Sequence, residues 1–227
     1  MDNRLKLIKD MVEPCDTAAD IGTDHGFLIC ALVAEGRARR GIAADINPLP
    51  LESARQEIAR QGLSGKITTV LTDGLEGITL GRGDAVVIAG MGGELIARIV
   101  EDWAQHKNTQ IDYYLQPMTK PERLRKYLYG SGFNILSERC CIAAGRPYSV
   151  MHVRYDGKAR ALTPWQLYLG WIDPLAGEAE VAYCRKLRAK LSTIVHGIAD
   201  SGGQSNELDL LRGLIAELER KTENAGI

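Results

Sequence analysis

Residues 17–28 of the chain read TAADIGTDHGFL. A short apolar run ends at Asp20, a turn with Gly22 and Gly26 follows, and residues 27–33 are apolar again at helical spacing. This order predicts a strand, a tight loop and the start of a helix, which is where a doubly wound α/β sheet binds a nucleotide-like ligand. The two glycines have no Cβ, so the backbone can turn sharply and approach a ligand. A structural βα turn without a ligand would share the pattern.

The acidic residues of this loop narrow the choice of ligand. Asp20 and Asp24 lie on either side of Gly22, where they would repel a pyrophosphate. They favour a cationic ligand with an adenosine part and an amino-acid tail. S-adenosylmethionine (SAM) fits, because its ammonium group needs a carboxylate or carbonyl acceptor. NAD is the weaker alternative, since Asp24 replaces the middle glycine of a dinucleotide-binding loop.

Two further acidic residues follow predicted strands. Asp45 ends the run GIAAD of residues 41–45 and lies 23 positions after Gly22, a distance at which an acid typically binds the ribose hydroxyls of an adenosine. The alternative is an acid that caps the next helix. Asp73 and Gly74 follow the strand predicted over residues 66–71. They can take the adenine amino group, although Asp-Gly is also a common turn.

Glycines cluster at the end of the fourth predicted strand. Residues 85–89, AVVIA, form a run typical of a buried parallel strand, and Gly90-Met91-Gly92-Gly93 follows directly. Three glycines in four residues indicate a backbone that approaches a ligand or packs tightly. A fifth strand is predicted over residues 111–116. Thr119 and Glu122 are predicted to form a capping box for a helix over residues 121–130.

The rest of the chain adds a hairpin and long helices. Residues 133–139 and 148–155 predict two antiparallel strands. Five βα units followed by a hairpin is the layout of the Rossmann-like, class I SAM-dependent methyltransferases. After Gly157, two apolar stripes joined by the flexible turn of residues 200–205 predict an antiparallel helical hairpin, a coiled coil. The stripes consist of Tyr183, Leu187, Leu191, Ile194 and Ile198, and of Leu208, Leu211, Ile215 and Leu218.

The predicted fold is therefore α/β: a Rossmann-like SAM-binding methyltransferase domain over residues 1–157 and a helical coiled-coil hairpin over residues 158–227. The length of 227 residues suits one medium domain with a small appendage. With 28 basic and 29 acidic residues, a dominant basic field is absent, so any nucleic-acid contact must come from local patches. The candidates are Lys120, Arg123, Arg125 and Lys126, and then Arg185, Lys186, Arg188 and Lys190, although such runs are also common on solvated faces.

The cysteines and the N-terminus indicate the compartment. Five cysteines without CxxC spacing argue against disulfides and a zinc site, and a reducing cytoplasm is the default expectation. No apolar run approaches the length of a membrane span, and the first ten residues lack the apolar core of a signal peptide.

With these motifs assembled, the sequence resembles the bacterial tRNA (adenine-22-N1)-methyltransferase family, TrmK. The resemblance covers nearly the whole chain. It depends on ADIGTDHG at residues 19–26, IAGMGG at residues 88–93, Leu115-Gln116-Pro117 and the C-terminal hairpin. Two positions depart from the family pattern: Met118 stands where members often have Asn, and Asp45 where they often have Glu.

The resemblance implies methyl transfer from SAM to N1 of an adenine in tRNA, with S-adenosylhomocysteine as product. It implies tRNA as partner. From the sequence we also expect no metal, no membrane and a monomer. The expected catalytic residues are Asp24, His25, Gly90 and Gln116. The expected cofactor-binding residues are Asp20, Gly22, Thr23, Asp24, His25, Gly26, Asp45, Asp73, Gly74, Ala89, Gly90 and Met91.

Two other classes of function stay open from the sequence. One is a SAM-dependent methyltransferase of another RNA position or of a small molecule, against which the basic hairpin argues. The other is a non-catalytic RNA-binding protein on this fold, against which the intact acidic loop and glycine motif argue. For N1 of adenine a strong general base is not required, because its in-plane lone pair is already nucleophilic, so alignment and desolvation dominate.

Overall fold

The computed structural model describes residues 1–200 and 206–223. Seven strands of this part of the chain form one sheet in the order β3-β2-β1-β4-β5-β7-β6. The first five strands are parallel, and β7 is antiparallel to both β5 and β6. The strands are β1 (Cys15–Ile21), β2 (Ala38–Asp45), β3 (Ile67–Leu71), β4 (Ala85–Gly92), β5 (Asp112–Thr119), β6 (Phe133–Ala143) and β7 (Arg146–Tyr155).

Helices cover both faces of the sheet and continue beyond it. They are α1 (Asn3–Met11), α2 (Phe27–Ala34), α3 (Pro48–Arg60), α4 (Gly93–Asp102), α5 (Pro121–Gly130), α6 (Pro164–Tyr168), α7 (Glu178–Asp200) and α8 (Asn206–Glu223). Apolar residues of α1, α2 and α3 pack in one core, and those of α4 and α5 pack in another. The predicted α/β class with a Rossmann-like sheet is confirmed. Among the described helices, none is long and apolar enough to cross a membrane.

The central strand β1 shows why the sheet is doubly covered. Ala18 belongs to the core under α1 and α2, and Ala19 belongs to the core under α4. Both residues are fully buried, as expected for a parallel strand with helices on each face. The chain runs outward from β1 to β3 and then returns to β4 on the other side of β1. The carboxyl ends of β1 and β4 therefore flank the reversal point, where open α/β sheets bind ligands.

Two strands extend further than the sequence predicted. Strand β4 continues through Gly92 and β5 through Thr119, because these two residues pair with each other. The predicted capping box of Thr119 and Glu122 is therefore wrong. The N-cap of α5 is Lys120, which has a left-handed conformation (φ 52°) and makes no side-chain capping bond.

The C-terminal hairpin is confirmed for the described residues. Helices α7 and α8 pack through the predicted stripes, in a cluster that also contains Cys140 of β6. An ion pair of 2.9 Å joins Arg188 of α7 to Glu219 of α8. The turn predicted between the helices lies outside the described residues, apart from Asp200, which ends α7.

A buried ion pair joins the sheet to the C-terminal helices. Arg125 of α5 is fully buried and donates two hydrogen bonds, of 2.5 and 3.3 Å, to the carboxylate of Glu138 on β6. It also donates to the carbonyl oxygens of Leu167 and Tyr168 at the end of α6, at 3.1 and 2.9 Å. The prediction that Arg125 contacts tRNA is therefore wrong, because its guanidinium is used inside the protein.

A glycine leaves room for this buried ion pair. Gly170 has φ +75°, and a Cβ on it would overlap the Glu138 carboxylate and the Arg125 guanidinium. The next peptide, at Trp171, donates its N–H to Glu138 at 3.3 Å. The backbone after α6 thus closes over the ion pair and excludes water from it.

We predict that Arg125→Met strongly destabilises the protein. The change leaves the Glu138 carboxylate buried without its cation, and breaking such a pair costs about 3–5 kcal/mol. Urea unfolding followed by circular dichroism measures the loss. Arg123→Met is the matched control, because Arg123 is exposed on the same helix and an exposed change costs about 0.5 kcal/mol or less. Equal stability of the two variants would contradict a stabilising role for the buried Arg125–Glu138 pair.

Candidate active site

A cleft of about 410 Å³ opens at the carboxyl ends of β1 and β4. Its position is the reversal point of the sheet, as the sequence pattern predicted. Acidic, aromatic and glycine residues line it, together with one arginine. The lining residues are Arg4, Leu5, Asp20, Gly22, Thr23, Asp24, His25, Phe27, Leu28, Ala89, Gly90 and Met118.

The loop after β1 is held by its own backbone. The N–H groups of Gly22 and Thr23 both donate to the carbonyl of Ala44 on β2, at 2.8 and 3.0 Å. Gly22 has φ +73°, and a Cβ on it would overlap the Met91 methyl group. The positive φ favours glycine, and any larger residue would also have to displace the Met91 methyl group. Met91, predicted to bind the cofactor, is therefore packed against the loop.

Asp20 is the buried acid of the cleft. It is 4% exposed, and its carboxylate accepts a hydrogen bond of 2.8 Å from the Thr23 hydroxyl. Burial raises the pKa of Asp20 to about 6, the Thr23 hydroxyl opposes the rise, and the negative charge of Asp45 adds to it. A cation bound nearby would relieve this cost, whereas an anion would increase it.

Asp45 lies at the tip of β2. It is 9% exposed, and its Oδ1 accepts the N–H of Asn47 at 2.8 Å. This bond fixes the carboxylate at the start of α3, where Asn47 makes no side-chain capping bond of its own. One oxygen of Asp45 therefore acts at the start of α3, as the helix-capping alternative predicted. The other oxygen is left for the predicted contact with a ribose.

Asp73 and Gly74 line a neighbouring pocket rather than the cleft itself. This pocket, of about 420 Å³, lies between the segment after β3 and helix α4. Asp73 is exposed there. Gly74 has φ +59°, and a Cβ on it would lie 3.0 Å from Ile99. The positive φ and the close approach of Ile99 on α4 together account for this glycine without a ligand.

Gln116 fastens the glycine motif to β5. Its side chain is fully buried. Its Oε1 accepts the N–H of Gly90 at 3.1 Å, and its Nε2 donates to the Pro117 carbonyl at 3.0 Å. The pairing of β4 with β5 is irregular at Gly90, which has φ +80° and is skipped in the ladder between Ala89 and Met91. A bulge of this kind re-aims a backbone at a site, and Gln116 holds it there.

Asp24, His25 and Phe27 form the exposed mouth of the cleft. Asp24 has a left-handed backbone (φ 52°), and its carboxylate lies 3.6 Å from Nε2 of His25. The His25 ring is tilted against the Phe27 ring at a centroid distance of 5.5 Å. Phe27 is 43% exposed, so its ring is accessible to a planar ligand.

Sequence reasoning missed Phe27 and Arg4. Phe27 is the first residue of the apolar segment of α2. The sequence pattern does not distinguish this exposed residue from the buried residues that follow it. Arg4 lies on α1, which the sequence presented only as a covering helix. Asp2 holds the Arg4 guanidinium through bonds of 2.6 and 3.0 Å, and Arg4 Nη1 lies 3.4 Å from Gln116 Oε1. Arg4 is therefore a cation at the edge of the cleft.

The two predicted basic patches lie on neighbouring helices. Lys190 of α7 donates to Glu122 of α5 at 2.8 Å, so the patches meet at this pair. Lys120 pairs with Glu94. The exposed members are Lys120 before α5, Arg123 and Lys126 on α5, and Arg185, Lys186 and Lys190 on α7, while Arg188 is half-buried.

The residues of the cleft fit SAM better than an anionic nucleotide. Buried Asp20 lies near the glycine loop, and Asp45 stands at the neighbouring strand tip, where an adenosine ribose binds in this fold class. Within the described residues, no group of three or more His, Cys, Asp or Glu is arranged to hold a metal ion.

Known proteins share this architecture and sequence. Residues 1–151 match a family model described as a methyltransferase domain. The tRNA (adenine(22)-N(1))-methyltransferase of Bacillus subtilis (strain 168) is 33% identical over 193 residues, which is 84% of this chain and 81% of that protein. The chain belongs to the tRNA (adenine(22)-N1)-methyltransferase family. The resemblance predicted from the sequence is confirmed.

Solved structures agree with this family. Streptococcus pneumoniae Sp1610 in complex with S-adenosyl-L-methionine superimposes with a TM-score of 0.80 at 26% identity, covering 96% of this chain and 98% of that chain. M. capricolum TrmK in complex with S-adenosyl-homocysteine gives a TM-score of 0.76 at 22% identity, covering 98% of each chain. The second match shows the shared fold alone.

We predict that Asp20→Asn removes part of the pH dependence of stability. Folding raises the pKa of Asp20 from 3.8 to about 6, so the folded state binds this proton more tightly than the unfolded state. The free energy of unfolding therefore falls as the pH rises between these two values. As the pH rises from ~4 to ~7, the free energy of unfolding of the variant should increase by up to about 3 kcal/mol relative to that of the natural protein. Urea unfolding without cofactor measures this difference.

Asp16→Asn is the control for this measurement. Asp16 is an acid of the same strand, and its hydrogen bond with Arg40 holds its pKa below the ordinary value. In the folded protein it titrates below the tested range and in the unfolded protein near pH ~4, so above pH ~5 its difference from the natural protein should stay constant. If the natural protein and Asp20→Asn lose stability in parallel, the buried carboxylate does not titrate as described.

Proposed function

We propose that this protein transfers the methyl group of SAM to N1 of adenine 22 in tRNA. The observation that carries the proposal is the acidic cleft at the ends of β1 and β4, in a chain of this methyltransferase family. The cofactor supplies an electrophilic methyl group on a positively charged sulfur.

The acids of the strand ends would hold the cofactor. We place its ammonium group near Asp20 and the backbone of Gly22, because the buried carboxylate gains most from a cation. Asp45 would accept hydrogen bonds from the ribose hydroxyls with the oxygen that does not bind Asn47. The adenine would extend toward Asp73 and Gly74, whose pocket follows the next strand along the sheet edge.

The reaction at N1 requires alignment rather than a base. The N1 lone pair lies in the plane of the ring, so the protein must bring it into line with the methyl group and exclude water. Gly90 supplies a backbone peptide at this point, and Gln116 acts as a positioning residue that holds Gly90. Asp24 and His25 at the mouth would lie beside the incoming base, with the Phe27 ring as a stacking surface.

The tRNA would contact the basic faces of α5 and α7. An adenine within folded RNA must be unstacked before it enters a cleft, and cations that hold the backbone can stabilise this state. We therefore divide the chain into a catalytic domain, residues 1–157, and a helical RNA-binding domain, residues 158–227. The proposed contacts are Lys120, Arg123, Lys126, Arg185, Lys186, Arg188 and Lys190.

A monomer in the cytoplasm is the setting we infer for this activity. All five cysteines are free thiols, which suits a reducing compartment. Transfer RNA and SAM are both available there.

Transfer of labelled methyl from SAM to unmodified bacterial tRNA tests the proposal. We expect label on tRNA with adenine at position 22 and none when guanine replaces it, because guanine N1 carries a proton and no free lone pair. Label on both RNAs would place the reaction at another nucleotide. Absence of label, with SAM binding shown by calorimetry, would contradict tRNA as the substrate.

Asp45→Asn is the companion variant for the cofactor site. It keeps an oxygen for the Asn47 N–H but removes the charge that the ribose would meet. We expect SAM to bind about tenfold more weakly or worse, as for a lost hydrogen bond to a charged group. Unchanged SAM affinity in calorimetry would contradict the proposed contact between Asp45 and the ribose.

A further inference from the structure

A second pocket lies between the end of β5 and helix α7. Its volume is about 310 Å³. The apolar part of its lining includes Pro117, Met118 and Pro121, and the basic part includes Lys186 and Lys190. The pocket thus offers an apolar surface beside three lysines, Lys120, Lys186 and Lys190, and one carboxylate, Glu122, which pairs with Lys190 at 2.8 Å.

Lys186 is constrained in this pocket. Its ammonium group donates to the Pro147 carbonyl at 2.9 Å and lies 5.0 Å from the centre of the Tyr148 ring. Although the side chain is exposed overall, partial loss of water around its ammonium group lowers the pKa of Lys186, and the positive charges of Arg146 and Lys190 lower it further. An anion bound here would relieve both effects.

A buried hydroxyl adds a polar contact point. Ser149 lines the pocket and is 2% exposed. Its hydroxyl lies close to that of Tyr183 but makes no hydrogen bond of standard geometry to any residue that the structure describes. Buried hydroxyl groups without partners are uncommon in proteins, so a ligand atom would complete the site.

The pocket adjoins the candidate active site. Met118 lines both cavities. Arg4, from the cleft, lies 3.1 Å from the Met118 sulfur and 5.5 Å from the centre of the Tyr148 ring. The two cavities are therefore close enough for neighbouring units of one polymer to occupy both.

We propose that this pocket binds a nucleotide that adjoins the target adenine in the RNA strand. Its base would pack on Pro117, Met118 and Pro121. Its phosphate would face Lys186, and Lys190 would be shared between the phosphate and Glu122. Unstacked nucleotides of single-stranded RNA are recognised by such combinations of an apolar surface and a cation, and nucleotides beside a flipped base contribute to substrate choice. The inference rests on the proposed tRNA methyl transfer.

Removal of single bases from the RNA tests the proposal. Two tRNAs are prepared, each with an abasic residue on one side of adenine 22, and kcat/KM for methyl transfer is measured with the natural protein and with Lys186→Met. We expect one abasic residue to lower kcat/KM about tenfold with the natural protein, as for one lost base contact. With Lys186→Met the same base loss should cost about threefold or less, because a nucleotide without its phosphate contact is already displaced.

Arg185→Met is the control, because Arg185 lies on the same helix but outside the pocket lining. It can weaken RNA binding generally, yet base removal should cost the same with Arg185→Met as with the natural protein. Lys186→Arg should restore the sensitivity that Lys186→Met loses. Calorimetry with SAM verifies that each variant keeps an intact cofactor site.

Two results would overturn the inference. One is that neither abasic residue changes kcat/KM of the natural protein. The other is that base loss lowers kcat/KM of Lys186→Met and of Arg185→Met by the same factor as it does for the natural protein. Failure of the proposed function is a separate result, because the natural protein would then leave intact tRNA unmethylated while still binding SAM.

Discussion

The reversal of the sheet between β1 and β4 is the constraint on which the site depends. Two neighbouring parallel strands end at the same edge, and their connections leave in opposite directions, so no crossover covers the space between them. The sequence fills this space with a buried carboxylate at Asp20 and with backbone at Gly22 and Gly90. Because Asp20 is costly to ionise in the free protein, the cleft favours a ligand that brings its own positive charge.

Backbone geometry has a larger part in the site than reactive side chains. Gly22 is held by Ala44 and packed on Met91, and Gly90 is held by Gln116. Such a rigid frame suits a reaction in which the nucleophile is already basic enough and rate depends on alignment. The Arg125–Glu138 pair extends the frame to the C-terminal helices, because Arg125 also donates hydrogen bonds to the end of α6 and to Tyr183 of α7.

The local patterns of the sequence predicted much of this structure. Alternation of strands and helices, the loop after β1 and the C-terminal stripes depend on neighbours in the sequence, and all were recovered. Burial of Arg125 was not, because its partners Glu138, Leu167 and Tyr168 belong to later elements. The N-cap of α5 was missed for a similar reason: the pairing of Thr119 with Gly92 of β4 extends β5 and displaces the capping box.

The position of the new methyl group is the most direct test of this account. Methylation at N1 blocks the Watson–Crick edge of adenine, so reverse transcription of tRNA treated with the protein and SAM should stop at adenine 22. The untreated RNA, and RNA treated without SAM, should be read through at that nucleotide. A methylated RNA that is read through at adenine 22, or that stops the transcriptase elsewhere, would contradict the account.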